Sequence, residues 1–385
     1  MKSNYEALGK HIRLVDYRNS KEASNTVLGI SIDKEFMPSV ANVIGTDLSR
    51  YKLISKGLFA CNPMHVGRDE RLPIALYEND EPAIVSPAYF MFEIVDRTVL
   101  NEEYLMMWFR RPEFDRECWF MTDGSVRGGI TWDDLCCIQL PIPTYEQQLE
   151  IIESYRAITR RIAMKKEIND NLEASEQAIL VESISKNQTI PTALGDFADF
   201  IDGDRGKNYP TFDEFSAKGY CLFLNASNVT STGFSFDTCM FVTEEKDRAM
   251  NKGHLSSYDI VLTSRGTLGN VALYNEHIKY ANIRINSGML IIRPKVKRLS
   301  PYLIYAFLKS SYMKAAIEQF RSGSAQPQLP IKDLQKITFA IPESDTVLTA
   351  LDRQFRSIEE RISVNKNEID SLKALSNILL VELSR

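Results

Sequence analysis

Apolar side chains recur every three or four residues through two long stretches of the chain. The first runs from Tyr145 to Ser185, contains no Gly or Pro, and places Ile151, Tyr155, Ile158, Ile162, Leu172 and Ile179 on one seam. The second runs from Glu343 to Arg385 and repeats the seam at Leu348, Leu351, Phe355, Ile358, Ile362, Ile369, Leu372 and Leu379. A period between 3.5 and 3.6 residues is that of a long amphipathic helix, and two matched seams in one chain can bury each other. The spacing predicts helices over 145–183 and 344–383, packed antiparallel, because a parallel pair would require an intervening domain to span the whole bundle. Polar residues interrupt the seams at Lys165, Asn169, Glu176, Asn365 and Ser376, where they either set the register or face a partner.

The two stretches are copies. Arg161 matches Arg361, Ile162 matches Ile362, Leu172 matches Leu372, Leu180 matches Leu380 and Glu182 matches Glu382, all at an offset of 200 residues. Upstream, Gly124 to Pro143 aligns with Gly323 to Pro342 at offset 199, and Arg68 to Tyr77 aligns with Arg265 to Tyr274 at offset 197. Near the two starts, Ala7-Leu8-Gly9 faces Ala193-Leu194-Gly195 at offset 186. Four alignments in the same order with a slowly growing offset mean an internal duplication, with an insertion inside the globular part of the second half.

Between the helices the pattern changes to short apolar runs. The segments at 52–61 and 74–77 read as strands around a polar loop, Ala83 to Ile94 as one buried strand, and Asn101 to Arg111 as a helix ended by Pro112. The second half follows the same plan: strand at Asp259 to Leu262, Gly-rich loop at Thr263 to Asn270, strands at 271–274 and 288–293, helix at Pro301 to Lys309. The expected fold is mixed α+β, with two homologous α/β globules separated by two long helices in an antiparallel coiled coil and related by a pseudo-twofold axis. The domains are 1–143, 144–186 (first helix), 187–342 and 343–385 (second helix), each helix starting after an Ile-Pro exit.

Composition narrows the function. A chain of 385 residues suits two domains. No run approaches the roughly 18 apolar residues of a membrane span, and the N-terminal stretch lacks the apolar core of a signal segment. The six cysteines include no C-x-x-C, so neither a zinc site nor a disulfide framework is expected, and a reduced cytoplasm is. A net charge of -5 argues against sequence-indifferent nucleic-acid binding, so any DNA contact must come from local patches.

Catalytic motifs are incomplete. Asn62-Pro63-Met64-His65 begins like the Asn-Pro-Pro-aromatic motif of amino-group DNA methyltransferases but lacks the second Pro and the aromatic. Gly203 to Asn208 lacks the spacing of a phosphate-binding loop. None of His11, His65, His254 and His277 has helical metal-ligand spacing, and Trp108, Trp119 and Trp132 read as core. No catalytic residue, metal or cofactor is expected.

Two variable globules, each opening with Ala-Leu-Gly and closing with a Gly-Ser to Ile-Pro frame, followed by a helix of the Q…I…R…KKEI…ILVE kind, resemble the specificity subunit of type I restriction-modification enzymes. The stretch Ser264 to Leu273 (SRGTLGNVAL) is similar to a loop-strand segment of that family's target-recognition domains, and Val85 to Ile94 resembles a recurrent strand. In the first half RDERLP stands where the second has RGTLGN. The resemblance implies a non-enzymatic subunit in which each globule reads one half of a bipartite double-stranded DNA target. It also implies that the helices space the globules and dock methyltransferase subunits, two copies by the repeat, with restriction subunits joining through the complex. A scaffold whose repeated domains bind only protein is the rival reading.

The physics of readout agrees. Arg pairs bidentately with guanine, and Asn or Gln with adenine, in the major groove. The loops supply such residues: Arg68, Arg71 and Arg127 in the first half, and Arg205, Lys207, Asn208, Arg265, Thr267, Asn270, Arg284, Asn286, Gln326 and Gln328 in the second. A helix of about 40 residues is about 60 Å long, which suits half-sites roughly 34 Å apart.

Overall fold

The computed structural model describes residues 5–40, 45–64, 66–122, 128–295, 298–320 and 328–383. The chain forms two compact units, Met1–Ala163 with Asp370–Arg385, and Met164–Ile369.

In the first unit a four-stranded antiparallel sheet is ordered Ile12–Leu14, Phe90–Ile94, Phe59–Cys61, Ile74–Leu76. A second sheet is ordered Phe36–Pro38, Val27–Ile30, Ala83–Val85, Lys52–Ile54, with its central pair parallel. Side chains alternate across a strand, and the first sheet uses both faces. Phe59, Cys61, Ile74 and Phe92 enter a core shared with Leu105, Phe109 and Phe114 of the helices Glu102–Phe109 and Pro112–Phe120. Ala60, Ala75 and Met91 face a core shared with Ile54, Ala83 and Val85 of the other sheet. Burial on both faces is why these strands read as uninterrupted apolar runs. The strand pair Tyr5–Ala7 and Gln139–Pro141 leads into the first long helix, Tyr145–Lys186.

The second unit repeats this layout. Its main sheet is ordered Ala198–Asp202, Met289–Pro294, Ile260–Thr263, Val271–Leu273. Ile260, Leu262, Leu290 and Ile292 pack under the helix Pro301–Lys309, while Val261, Ala272 and Ile291 face the smaller sheet of Phe241–Val242, Cys221–Leu224 and Ile283–Ile285. The pair Thr189–Ala193 and Thr338–Pro342 leads into the second long helix, Asp345–Glu382. The hairpin Val229–Thr230/Gly233–Phe234 and the helix Glu244–Ala249 lie in the region where the offset between the halves grows.

Two sequence expectations change. The run Ala83 to Ile94 is two strands in different sheets, because Pro87 follows Ser86 in a turn that Tyr89 N–H closes onto Ser86 O at 3.1 Å. Trp119 is 43% exposed, whereas Trp108 is buried and Trp132 packs against Phe92 at 5.6 Å. Pro112 ends one helix and is also the first residue of the next, Pro112–Phe120.

The long helices pack antiparallel. Within the second unit Lys165 Nζ meets Asn365 Oδ1 at 3.0 Å and Glu368 at 2.8 Å, Asn365 Nδ2 donates to Asn169 Oδ1 at 2.8 Å, and Glu176 lies across Lys309 from Glu359. Partners therefore fall in number along one helix as they rise along the other. Within the first unit Ile152 shares a core with Leu380 and Leu383. Along the seam Phe355, Ile362 and Ile369 are buried, and Tyr155, Ile158, Ile162, Leu172, Ile179, Ile358, Leu372 and Leu379 are half-buried. The polar interruptions Asn169, Glu176, Asn365 and Ser376 are buried in it, and the mutual bond of Asn169 and Asn365 ties one register of the pair to another residue's amide.

Candidate nucleic-acid interface

The Gly-rich loop of the second half is built on the strand Ile260–Thr263. Its ends are pinned together by Thr263, whose N–H donates to Asn270 O at 2.9 Å and whose carbonyl accepts from Gly269 N at 2.9 Å. The Thr263 hydroxyl, also tied to Thr267 O, accepts from Asn270 N at 3.0 Å. Gly266 and Gly269 have φ of 73° and 85°, which side-chain-bearing residues rarely adopt, and a Cβ on Gly269 would lie 2.8 Å from Ile317 Cδ1. The loop is a rigid frame that exposes Thr267.

Arg265 leaves this frame beside a neighbour distant in sequence. Its N–H and that of Ser264 donate to Gly288 O at 3.1 and 2.9 Å, and it forms an antiparallel bridge with Gln328. Arg205, Arg265, Gln328 and Lys332 line one cavity of about 360 Å³ floored by Leu290 and Leu329. Arg205 is steadied by Asp202 at 3.1 Å and by Ser287 O at 3.2 Å, leaving most of its guanidinium donors available. Three cations and an amide in one place can bind phosphate oxygens and can meet guanine and adenine edges. Lys332 is not singled out by the sequence, since nothing in the local pattern sets it apart from other exposed lysines; the tertiary fold brings it to the loop.

Other candidates spend their polar groups on the fold. Arg284 is 4% exposed, its Nε donates to Asp247 Oδ1 at 2.7 Å, and its other nitrogens bond Asp247 O and Lys252 O. It is a buried brace, not a presented reader: Ile283 and Ile285 on either side of it face the main sheet, so Arg284 points to the opposite face of the smaller sheet, where the helix Glu244–Ala249 covers it. Asn208 donates to Ala249 O at 2.7 Å, Asn270 to Val229 O at 3.1 Å, and Asn286 accepts from Gly288 N at 2.8 Å. These three shape loops. Asp204 accepts from Gly206 N and Asn251 N at 2.6 and 2.7 Å, bonds that hold its carboxyl below the ordinary carboxylate range and anchor the segment carrying Arg205 and exposed Lys207.

In the first half Arg68 is exposed and paired bidentately with Asp69 at 2.6 and 2.8 Å, while Arg71 reaches Asp33 at 3.2 Å. Arg127, Gln326 and His65 lie outside the described residues. Cys221, Asp247 and His254 bring ligand atoms within 4.8 Å of one another, but the Arg284 guanidinium already neutralises Asp247 and would repel a cation there. Among the described residues no helix is long and apolar enough to cross a membrane.

Residues 191–374 match the family model of the type I restriction modification DNA specificity domain. The fold is similar to the S subunit of a type I restriction-modification system from M. genitalium, at 16% identity and a TM-score of 0.55, over 99% of this chain and 96% of that one. The HsdS subunit from Thermoanaerobacter tengcongensis aligns over 99% of this chain and 96% of that chain at 17% identity, with a TM-score of 0.37 that adds nothing to the argument for the fold. None of the curated proteins matches the chain. A DNA specificity domain disfavours the protein-only scaffold. The matched stretch fills most of the second half, and the first half repeats the strand order of that half's main sheet.

Proposed function

We propose that residues 1–143 and 187–342 are two target-recognition domains, each reading one half of a bipartite double-stranded DNA sequence. The long helices space them and dock methyltransferase subunits, one per repeat, through which restriction subunits join. The convergence of Arg205, Arg265, Gln328 and Lys332 on one cavity carries the reading for the second domain, because it gathers base-reading and phosphate-binding side chains on a rigid loop. In the first domain the equivalent role falls to the surface around Arg68 and Arg71, where the ion pairs to Asp69 and Asp33 must open or stay as neutral edges. Methylome sequencing of a host with and without this chain tests the reading. A methylated motif in two short parts should appear only with it, and exchanging 187–342 for the same region of another specificity subunit should change one part alone. A motif that survives the exchange unaltered would sink the assignment. Purified with excess modification subunit, the chain should carry two copies; a complex saturating at one contradicts the repeat logic.

A further inference from the structure

The duplication supplies an internal control for one junction between globule and helix. In the second unit Lys309, at the end of the helix Pro301–Lys309, is half-buried between Glu176 at 2.7 Å and Glu359, and lies over the Tyr305 ring at 4.5 Å. The helices Glu102–Phe109 and Pro301–Lys309 align at offset 199, with their capping residues Asn101 and Ser300 in register. Arg110 is thus the counterpart of Lys309, and Met106 that of Tyr305. At offset 200, Thr159 stands for Glu359 and Ser376 for Glu176. The first half keeps the cation and has lost both carboxylates.

It also has a space. A cavity of about 570 Å³ in the first unit is lined by Arg110, Arg160, Met106, Met107, Tyr155 and Thr159, positions whose counterparts include Tyr305, Lys309 and Glu359. The other cations on it are engaged: Arg156 with Glu103 and Glu153, and Lys34 with Asp115 at 2.6 Å. The side chains of Arg110 and Arg160 hold no hydrogen bond or ion pair among the described residues. The acidic residues Glu35 and Glu78 on its wall are exposed. A half-buried guanidinium without a carboxylate partner, in a recess lined by both charged and apolar side chains, suits a carboxylate, which it can bind bidentately.

We propose that this cavity receives an acidic side chain of the docked methyltransferase subunit, which takes in trans the place that Glu359 and Glu176 take in cis in the other half. The proposal rests on the docking role given above. It makes the two repeats unequal, since the cation at this position is paired in the second half and, among the described residues, unpaired in the first.

The test measures the affinity of the full chain for its modification subunit by titration calorimetry, in wild type, Arg110→Gln and Thr159→Glu, beside a melting curve for each. Thr159→Glu should raise the melting temperature by pairing with Arg110, and both variants should weaken binding at the first repeat about tenfold. Unchanged affinity in both folded variants overturns the proposal while leaving the docking reading intact. Absence of any binding by wild type removes the docking reading instead. A hexaglutamate peptide then decides the site itself: saturable binding lost in both variants sustains a carboxylate site, and binding that is absent or indifferent to the variants refutes it.

Discussion

The buried ion cluster of the second unit allows a sign and a magnitude to be worked out. Glu176 has none of its surface exposed. Burial raises its carboxyl to about 8 from the ordinary 4.5; the pull of Lys309 opposes this shift, and repulsion by Glu359 adds to it. One lysine cannot neutralise two buried carboxylates, so Glu176 keeps its proton near neutrality. The facing groups are Lys309 and Tyr305 from the helix Pro301–Lys309, Glu359 from the second long helix, and Glu173 from its own. A carboxyl whose folded value is raised contributes its full stability below the unfolded value and loses it as the pH climbs to the folded one. Here that window runs from 4.5 to about 8. At about 1.4 kcal/mol per pH unit for one proton, flattening towards each end of the window, roughly 3 to 4 kcal/mol disappears between pH 5 and 8. Glu176→Gln keeps the shape and removes the titration. Denaturant unfolding of wild type and variant at pH 5, 6.5 and 8 isolates the Glu176 cluster, since groups remote from it cancel in the difference. The variant should gain on wild type steadily with pH, and a difference constant to about 0.5 kcal/mol across the range would refute a protonated Glu176.

Other substitutions separate reading from bracing. Arg265→Ala should weaken binding to the cognate site by about 1 to 3 kcal/mol and relax one half-site if it meets a guanine, or weaken all sequences alike and lower the salt dependence if it meets a phosphate; titrations on site and non-site DNA at two salt concentrations tell these apart. Arg284→Ala should instead cost about 3 to 5 kcal/mol of stability by stranding buried Asp247, visible in a melting curve without DNA. Asn365→Leu leaves Asn169 and Lys165 without their mutual partner and should cost about 1 to 3 kcal/mol in denaturant unfolding. Phe355→Ala, at a position with no exposed surface, should cost about 3 to 5 kcal/mol; a loss below 1 would mean the seam is not packed there.

Much of this architecture follows from the chain's own periodicities. Heptad spacing needs only neighbours three and four residues apart, so the helices Tyr145–Lys186 and Asp345–Glu382 were legible to within a few residues, and the duplication was legible because both copies keep the same frame. Strand order was not, because it depends on pairing between segments far apart: the run Ala83 to Ile94 looks continuous until its halves join different sheets. The candidate interface divides in the same way. Residue type marked Arg265 and Arg284 equally as possible readers, and only burial beside Asp247 distinguishes the second as a brace. Gln328 and Lys332 come to Arg265 through a bridge across more than sixty residues of chain, a closeness no local pattern encodes. The polar gaps in the seams were visible as gaps; that Asn169 meets Asn365, and that Lys309 from a globule helix enters between Glu176 and Glu359, was decided by packing, where a buried polar group must find its partner wherever the fold presents one.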